Sequence, residues 1–313
     1  MTLPKSAALA AAAALLMLGA STAWARAAEP LKVVASFSIL GDLVAEVGRE
    51  HVQVRTLVGP NGDAHVYEPA PADARDTAAA SVVFVNGLGL EGWLNRLVDA
   101  SGYSGPVVVA SSGVTPIDLG EEKTAGMPVE EEGGDPNAAT DPHAWQSVAN
   151  AKVYVANIRD ALIAADPAGK DVYTANATAY LAKLDALERE VRDVIAKVPA
   201  DRRRVITSHN AFGYFQDAYG VTFTAPQGVS TEAEASARDV AAIITQIRKQ
   251  KIPAVFLENV TDPRLVQQIA RETGAKIGGT LYSDALTDAK GDATTYIDLI
   301  RHNLKQLAAA LES

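Results

Sequence analysis

The chain has 313 residues, of which 48% are apolar and 21% charged, a balance typical of soluble globular proteins and unlike that of disordered ones. This length allows two ordinary domains, each with its own core. The formal net charge is -10 and no large basic block is present, so we expect no nucleic-acid binding. The sequence contains no cysteine, which excludes disulfides and thiolate metal sites and leaves His, Asp and Glu as ligands for any metal.

The first 27 residues differ from the rest of the chain. Lys5 supplies a positive start, an apolar run rich in alanine and leucine follows, and small-residue cleavage patterns end at Ala25 and Ala27. This order predicts a secretory signal peptide over residues 1–27. A membrane anchor is the weaker alternative, because no segment offers the roughly 20 consecutive apolar residues that a span needs. Since no cysteine follows the cleavage site, we expect a free periplasmic protein that is not a lipoprotein.

Residues 28–168 form the first predicted lobe, because short apolar runs alternate there with helical patterns. Alternation of this kind predicts a parallel sheet covered by helices. The predicted strands cover residues 31–38, 51–58, 81–86 and 106–110. Residues 118–141 break this alternation. They are acidic, rich in Gly and Pro and poor in apolar residues, which predicts a flexible loop.

A long helix is predicted over residues 169–199. Its apolar positions recur at spacings of four and three, which places them on one helix face. These positions are Tyr180, Leu184, Leu187, Val191 and Val194. About 28 uninterrupted residues at 1.5 Å each reach roughly 40 Å, which is enough to cross from one domain to another.

A second strand–helix series follows over residues 200–313. Its predicted strands cover residues 203–209, 221–225, 254–258 and 276–282. The predicted fold class is therefore α/β, with two lobes of parallel sheets flanked by helices and joined by one long rigid helix. A ligand site in such a molecule is expected in the cleft between the lobes.

The segment NGLGLEG, residues 86–92, contains the G-x-G-x-x-G pattern of dinucleotide-binding proteins. The pattern follows the third predicted strand rather than the first, and the next strand ends in two serines with no acidic residue for a ribose. We therefore interpret the segment as a tight turn between a strand and a helix. The motifs of serine hydrolases, zinc proteases and P-loop proteins are absent from the sequence.

The histidines carry more information. Of the five in the sequence, His51 at the start of a strand and His302 in the last helix have ordinary explanations as satisfied polar residues. The other three, with one aspartate, lie at predicted junctions between strands and helices, namely His65, His143, His209 and Asp284. Such junctions line the ligand crevice of open α/β sheets. Two candidates come from each lobe, as a site between the lobes requires.

Three imidazoles and a carboxylate suit Zn²⁺, which prefers four ligands in tetrahedral geometry. Four protein ligands leave no open coordination position, which favours binding over catalysis. Two alternatives stay open at this point. A zinc-dependent periplasmic hydrolase would use three histidines and a water molecule, and an adhesin or scaffold would carry the metal incidentally.

Seven segments resemble the metal-binding proteins of zinc and manganese ABC importers. In chain order they are GDAHVYEPAPAD, NGLGLEGWL, DPHAW, ITSHNAFGYF, GVSTEAEASARDV, AVFLE and ETGAKIGGTLYSDAL. The resemblance covers residues 31–311 and includes NGLGLEGWL, which argues against the dinucleotide interpretation. It implies two α/β lobes, a rigid spanning helix and one metal ion in the cleft. The implied ligands are His65, His143, His209 and Asp284.

The resemblance implies transport rather than enzyme activity. A high-affinity periplasmic protein of this kind captures Zn²⁺ as the transported ligand and delivers it, as a monomer, to the membrane permease of an ABC importer. Manganese-type members commonly carry Glu at the position of His209, so Zn²⁺ is favoured and Mn²⁺ is the alternative. The loop at residues 118–141 lacks the histidines of many zinc members, so a separate periplasmic zinc chaperone is a further expected partner.

Other groups are expected to orient the imidazoles, because metal-bound histidines usually donate their second ring N–H to an acceptor. The candidates near the ligands or at strand ends are Asp63, Glu68, Asp141 and Glu258. We expect Trp145 to pack beneath the site. Because neutral imidazole is the ligand form, metal affinity should fall steeply below about pH 6. For release, we expect the permease to displace Asp284 or His65.

Overall fold

The computed structural model describes residues 29–119 and 140–312. The predicted signal peptide at residues 1–27 lies outside the described residues, as do residues 120–139 of the predicted acidic loop. Within the described ranges, no helix is both long enough and apolar enough to cross a membrane.

The first lobe is built on a parallel sheet. Its strands are β1 (Leu31–Phe37), β2 (Val52–Val58), β3 (Val82–Val85) and β4 (Val107–Val109). Its helices are α1 (Ser38–Gly48), α2 (Pro71–Ala78), α3 (Leu94–Ser101) and α4 (Val148–Ala165). The strand order is β2-β1-β3-β4, and all three pairings are parallel. The two central strands are almost entirely buried, as expected for a parallel sheet covered on both faces.

The second lobe follows the long helix α5 (Lys170–Lys197). Its strands are β5 (Arg204–Ile206), β6 (Thr222–Thr224), β7 (Ala254–Glu258) and β8 (Lys276–Leu281). Its helices are α6 (Gly213–Tyr219), α7 (Ala237–Gln250), α8 (Arg264–Thr273) and α9 (Tyr296–Leu311). The order β6-β5-β7-β8 repeats that of the first sheet. The predicted fold class is confirmed.

Helix α5 supports both lobes. It packs against α1 and α4 of the first lobe and against α6 and α9 of the second. Its buried positions are Tyr173, Ala177, Tyr180, Leu184, Leu187, Val191 and Ile195. Four of the five predicted face positions are therefore confirmed. The exception is Val194, which is half-buried, because 3.6 residues per turn bring Ile195 onto the buried face at that turn.

Polar contacts join the lobes directly. The Trp145 indole N–H of the first lobe donates to the carbonyl of Ser283 in the second (2.9 Å). The Tyr296 hydroxyl of α9 donates back to the carbonyl of Trp145 (2.7 Å). One apolar core also runs continuously through both lobes and α5. These contacts fix how the carboxyl ends of the two sheets face each other.

The sequence patterns do not predict α6. This helix has seven residues, three of them aromatic, so it is too short for a helical period to be recognised and is built from residues of modest helix propensity. Strands β5 and β6 are also shorter than predicted and end at Ile206 and Thr224. The chain leaves the sheet early after β5, and the residues that follow enter the interface between the lobes.

Asp42 of α1 lies at this interface, where its carboxylate accepts the backbone N–H of Tyr296 (2.8 Å). Burial and the negative charges of Glu46 and Asp298 raise the pKa of Asp42 from 3.8 to about 7, against the opposing effects of the Tyr296 N–H and Arg49. The folded state therefore binds this proton more tightly than the unfolded state. The resulting stabilisation is complete below about pH 4 and is lost as the pH rises through about 7.

We predict that Asp42→Asn weakens the pH dependence of stability. The free energy of unfolding of the wild type should fall between pH 5 and pH 8 by on the order of 2 kcal/mol more than that of the variant. The asparagine oxygen can still accept the Tyr296 N–H, so the hydrogen bond is retained. Urea unfolding of both proteins at both pH values measures the difference, and equal pH dependence would contradict the raised pKa.

Candidate metal centre

Four side chains converge where the two lobes meet, namely His65, His143, His209 and Asp284. Each offers one ligand atom, and these atoms all lie within 4.8 Å of one another. His143, His209 and Asp284 have no exposed surface, and His65 is 6% exposed. In the part of the chain that the structure describes, this is the one group of three or more such residues that could hold a metal ion.

Three of the four residues follow strands, as predicted: His65 comes after β2, His209 after β5 and Asp284 after β8. His143 differs from them. It follows an isolated bridge between Asp118 and Thr140, and it precedes the short 3-10 turn Ala144–Gln146 that leads into α4. The carboxyl ends of both sheets therefore form the expected crevice, and His143 enters it from a connecting segment rather than from a strand.

The Nε2 atoms of the three imidazoles surround the carboxylate of Asp284. His65 Nε2 lies 3.2 Å from His143 Nε2 and 3.6 Å from Asp284 Oδ2. His143 Nε2 lies 3.6 Å from Asp284 Oδ1, and His209 Nε2 lies 3.1 Å from Asp284 Oδ2. Zinc bonds of about 2.0–2.1 Å give tetrahedral edges of about 3.3–3.4 Å. The spacing thus fits one small cation held between the four side chains.

The environment of Asp284 is unusual for a carboxylate. The side chain is fully buried, and neither oxygen accepts a well-formed hydrogen bond from the described residues. Burial alone would raise the pKa of Asp284, but the positive charges of His209 and His143 hold it well below its usual range. A buried, ionised carboxylate that faces only imidazole nitrogens is stabilised by a cation, either protons on those rings or a metal ion.

Glu258, one of the predicted orienting groups, lies at the end of β7 and contacts His209 through both carboxylate oxygens. Its Oε1 accepts the backbone N–H groups of Ser208 (2.7 Å) and His209 (2.9 Å). Its Oε2 lies 2.6 Å from the ring Nδ1 of His209. Burial would lower the pKa of His209, but the negative charges of Glu258 and Asp284 raise it well above its usual value. Glu258 therefore directs Nε2 into the site and increases its basicity.

Asp141 plays the corresponding part for His143. Its Oδ1 accepts the backbone N–H of His143 (2.9 Å) and lies 2.7 Å from the ring Nδ1. Trp145 packs against the same imidazole, with ring centroids 5.3 Å apart, as predicted. Because the Trp145 indole also bonds to the carbonyl that precedes Asp284, it connects two of the four site residues across the lobes.

His65 is held through its backbone instead. Oδ1 of Asp63 accepts the backbone N–H of His65 (2.9 Å), and the Trp93 indole donates to the carbonyl of Ala64 (2.8 Å). Among the described residues, Asp284 is the only carboxylate within ion-pair distance of the His65 ring, and it faces Nε2. Burial lowers the pKa of His65, although Asp284 opposes the shift. Burial therefore favours the neutral form of this imidazole.

The prediction for Glu68 is wrong. Its side chain is exposed, and within the described ranges it makes no hydrogen bond or ion pair with any of the four site residues. The chain turns away from the site after His65. Val66 is 48% exposed, and the Tyr67 hydroxyl donates to Asp73 of α2 (2.7 Å). Closeness in sequence therefore does not bring Glu68 close to the site.

A buried polar network that the sequence patterns do not predict holds the segment before His143. The Asn86 side-chain amide donates to the carbonyl of Pro142 (2.9 Å) and accepts the Tyr154 hydroxyl (2.5 Å). Glu91 Oε1 accepts the backbone N–H of Asn86 (2.7 Å). Asn86 and Glu91 lie in the segment NGLGLEGWL, one of the seven segments that carry the family resemblance. The resemblance does not indicate which groups these polar side chains contact.

The same segment forms the predicted tight turn. Gly87 and Gly89 have φ values of 81° and 82°, where glycine carries no steric cost. A Cβ atom on Gly87 would lie 2.5 Å from a methyl group of Val109. Glu91 Oε2 accepts the Gly87 N–H (3.2 Å), so a buried carboxylate uses an amide that a dinucleotide phosphate would need.

Comparison with known proteins finds relatives whose names specify different metals. The chain is 35% identical over 283 residues to the manganese-binding lipoprotein MntA of Halalkalibacterium halodurans, with 90% of this chain and 89% of that protein covered. It is 33% identical over 281 residues to the iron-binding protein YfeA of Yersinia pestis, with 90% and 86% covered. The structure of the periplasmic zinc-binding protein TroA from Treponema pallidum matches with a TM-score of 0.79 and 31% identity, covering 90% of this chain and 99% of that one.

These relatives correct one expectation about localisation. From the absence of a cysteine after the predicted cleavage site, we expected a protein that is not a lipoprotein. The manganese-binding relatives from Halalkalibacterium halodurans and from two Streptococcus species are named lipoproteins, which contradicts that expectation, and we withdraw it. A location outside the cytoplasm fits these relatives.

The family assignment rests on a match over most of the chain. Residues 33–310 match the family described as zinc-uptake complex component A, periplasmic. The match spans both lobes, the long helix and all four converging side chains, and the curated relatives include substrate-binding proteins of manganese ABC transporters. The chain belongs to the zinc-uptake complex component A family of periplasmic metal-binding proteins that serve ABC importers.

Proposed function

We propose that this protein captures Zn²⁺ with high affinity in the periplasm and delivers it to the membrane permease of an ABC importer. The proposed ligands are His65, His143, His209 and Asp284. The observation that carries the proposal is the buried carboxylate of Asp284, which faces three imidazole Nε2 atoms without accepting a well-formed hydrogen bond. A Zn²⁺ ion at this point would satisfy all four side chains at once. The metal ion is the cargo of the protein.

The donor set supports zinc over harder ions. Three neutral nitrogen donors and one carboxylate match the borderline-soft character of Zn²⁺. Four of the six separations between ligand atoms, from 3.1 Å to 3.6 Å, bracket the edge of about 3.3–3.4 Å expected for a tetrahedral zinc site, and all six lie within 4.8 Å. An affinity in the nanomolar range corresponds to about 12 kcal/mol, which such a ligand set can supply.

Manganese is the second candidate, and one contact favours it. Both oxygens of Asp284 face the site, since Oδ1 is nearest to His143 and Oδ2 to His209 and His65. A carboxylate that binds through both oxygens raises the coordination number above four and adds a hard donor, which suits Mn²⁺ better than Zn²⁺. The manganese name of the relative MntA points the same way.

The closed geometry supports binding rather than hydrolysis. A catalytic zinc keeps three protein ligands and a water, whereas here a fourth protein side chain lies among the three imidazoles and almost no surface is exposed. Delivery then begins when the permease displaces one of the four ligands from the closed site between the lobes, which we assign to residues 28–168 and 200–313 around the helix at 169–199. In this scheme a periplasmic zinc chaperone supplies the ion, and the protein acts as a monomer.

We predict that His209→Ala lowers zinc affinity by at least about 100-fold, because it removes one donor and leaves the charge of Glu258 buried without its partner. Competition titration against a chromophoric chelator measures the affinity, and native mass spectrometry counts the ions bound per chain. Parallel titrations with Mn²⁺ decide between the two candidate metals.

His51→Ala is the matched control, because His51 packs edge-on against Tyr173 and contacts none of the four proposed ligands. It should bind one zinc ion with wild-type affinity. Unchanged zinc affinity in His209→Ala would remove His209 from the site. A wild type that binds Mn²⁺ more tightly than Zn²⁺ would replace the zinc proposal with the manganese candidate.

We predict that Glu258→Gln lowers zinc affinity by about 10- to 100-fold. The amide oxygen can still accept the backbone N–H groups of Ser208 and His209, but the amide NH₂ cannot accept a proton from the ring Nδ1. The comparison is with Glu190→Gln, which removes an exposed ion pair to Arg301 and should leave the affinity unchanged. Equal affinities of the two variants would show that Glu258 does not orient the ligand.

We predict that, as the pH falls, zinc affinity begins to decline at a higher pH than it would if all three imidazoles had the ordinary pKa of histidine. The raised pKa of His209 means that its imidazole holds a proton at neutral pH that zinc must displace. The affinity should therefore fall by up to about tenfold per pH unit already between pH 8 and pH 6. Calorimetric titrations in buffers of different ionisation enthalpy measure the released proton, and no release at pH 7 would contradict this prediction.

A further inference from the structure

A loop of the second lobe reaches across the cleft to the segment that carries His65. The loop runs from residue 225 to residue 236, between β6 and α7. The hydroxyl of Thr231 in this loop donates to Oδ2 of Asp63 in the first lobe (2.6 Å). Thr231 is distant from the four converging side chains in sequence and is not itself a candidate ligand.

Asp63 uses its two oxygens for two different lobes. Oδ1 accepts the backbone N–H of His65 (2.9 Å), while Oδ2 accepts the hydroxyl of Thr231. The carboxylate therefore connects a proposed metal ligand of the first lobe to a side chain of the second. If Thr231 moves away, Asp63 loses the contact that fixes its orientation on the His65 turn.

The first residues of the loop are hydrogen-bonded to the residues on either side of His209. The backbone N–H of Asn210 donates to Gly228 (3.0 Å), and that of Gln227 donates to Ser208 (3.4 Å). The side-chain amide of Gln227 donates to the carbonyl of Thr231 (3.1 Å), which fixes the loop on itself. The position of Thr231 is therefore set relative to the residues on either side of His209.

His65 depends on this connection more than the other ligands do. The rings of His143 and His209 have carboxylates at Nδ1, whereas the described residues place no carboxylate at Nδ1 of His65. Asp284 is also held from the first lobe, because the side chains of Trp145 and Gln146 both donate to the carbonyl before it. His65 is the one ligand with any exposed surface. It is thus the ligand with the fewest constraints on its ring.

We propose that Thr231 is a positioning residue that acts through Asp63. Its hydroxyl holds the His65 turn against the second lobe and thereby sets the rate at which the bound metal ion leaves. This inference rests on the proposed metal-binding function. The backbone N–H of Asn61 also joins this turn to the second lobe, at the carbonyl of Leu286 (2.8 Å), but the Thr231–Asp63 bond is the contact that reaches the backbone of His65 through one side chain. Its loss therefore loosens His65, while Trp145 and Gln146 still hold the backbone at Asp284.

The test is the dissociation rate of Zn²⁺ from the full chain, measured by stopped-flow mixing with excess EDTA. Thr231→Val keeps the shape of the side chain but removes the hydroxyl, and it should accelerate dissociation by about 10- to 100-fold, as expected for one hydrogen bond to a charged group. Thr231→Ser restores the hydroxyl and should restore the wild-type rate. Ser230→Ala is the control from the same loop, because the Ser230 hydroxyl accepts the backbone N–H of Glu232 (3.2 Å) and, among the described residues, forms no hydrogen bond with the first lobe.

A double-mutant cycle distinguishes positioning from general loosening of the loop. In an Asp63→Ala background, Thr231→Val should cause no further acceleration, because the residue through which it acts is gone. Unfolding midpoints of the metal-free variants should match, apart from Asp63→Ala. Additive effects, or equal acceleration by Thr231→Val and Thr231→Ser, would overturn the role of the hydroxyl.

The outcomes separate this inference from the proposed function. A wild-type protein that holds no Zn²⁺ or Mn²⁺ in native mass spectrometry would overturn the function itself. A wild type that binds zinc, together with a Thr231→Val variant that releases it at the wild-type rate, would overturn the role of Thr231 alone and leave the function standing.

Discussion

The buried carboxylate of Asp284 is the constraint on which the centre depends. Taking an ionised carboxylate out of water costs several kcal/mol unless positive charge or hydrogen bonds replace the water. The described surroundings offer it imidazole nitrogens rather than hydrogen-bond donors of good geometry. The folded chain can therefore meet the cost only with protons on the rings or with a metal ion. Protonation of the rings and binding of a metal ion are therefore two alternative ways to offset the cost of burying this negative charge.

This constraint explains why the relative placement of the lobes is fixed by polar contacts rather than by apolar packing alone. Asp284 belongs to the second lobe, and two of the imidazoles that face it belong to the first. Trp145 and Gln146 follow His143 closely and donate to the carbonyl of Ser283, so one short segment places an imidazole and also holds the backbone of its carboxylate partner. The two parallel sheets and α5 form a rigid frame that holds this contact in one geometry.

Much of this architecture could be predicted from the sequence because the signals were local. Strand-to-helix alternation and the helical period of α5 predicted the lobes, and polar residues at strand ends predicted His65, His209, Asp284 and Glu258. The prediction that Glu68 orients an imidazole was wrong because closeness in sequence does not fix where a side chain points, and the chain turns outward at Val66. The Asn86 network and the Thr231 contact join residues far apart in the chain, so no local pattern could indicate them. These contacts form only when folding brings the distant segments together.

The uneven support of the three imidazoles bears on how a closed site can release its cargo. A metal ion held by the four proposed ligands, two from each lobe, could not leave while all four remained in place, and separating the lobes as rigid bodies would also break the contacts of Trp145 and Gln146. Loss of one ligand costs less, and the least constrained is His65, whose ring lacks the carboxylate that Asp141 and Glu258 give to the other two. In the proposed transport cycle, these hydrogen bonds would set the order in which the ligands leave, and a permease would begin release by acting on the turn after β2.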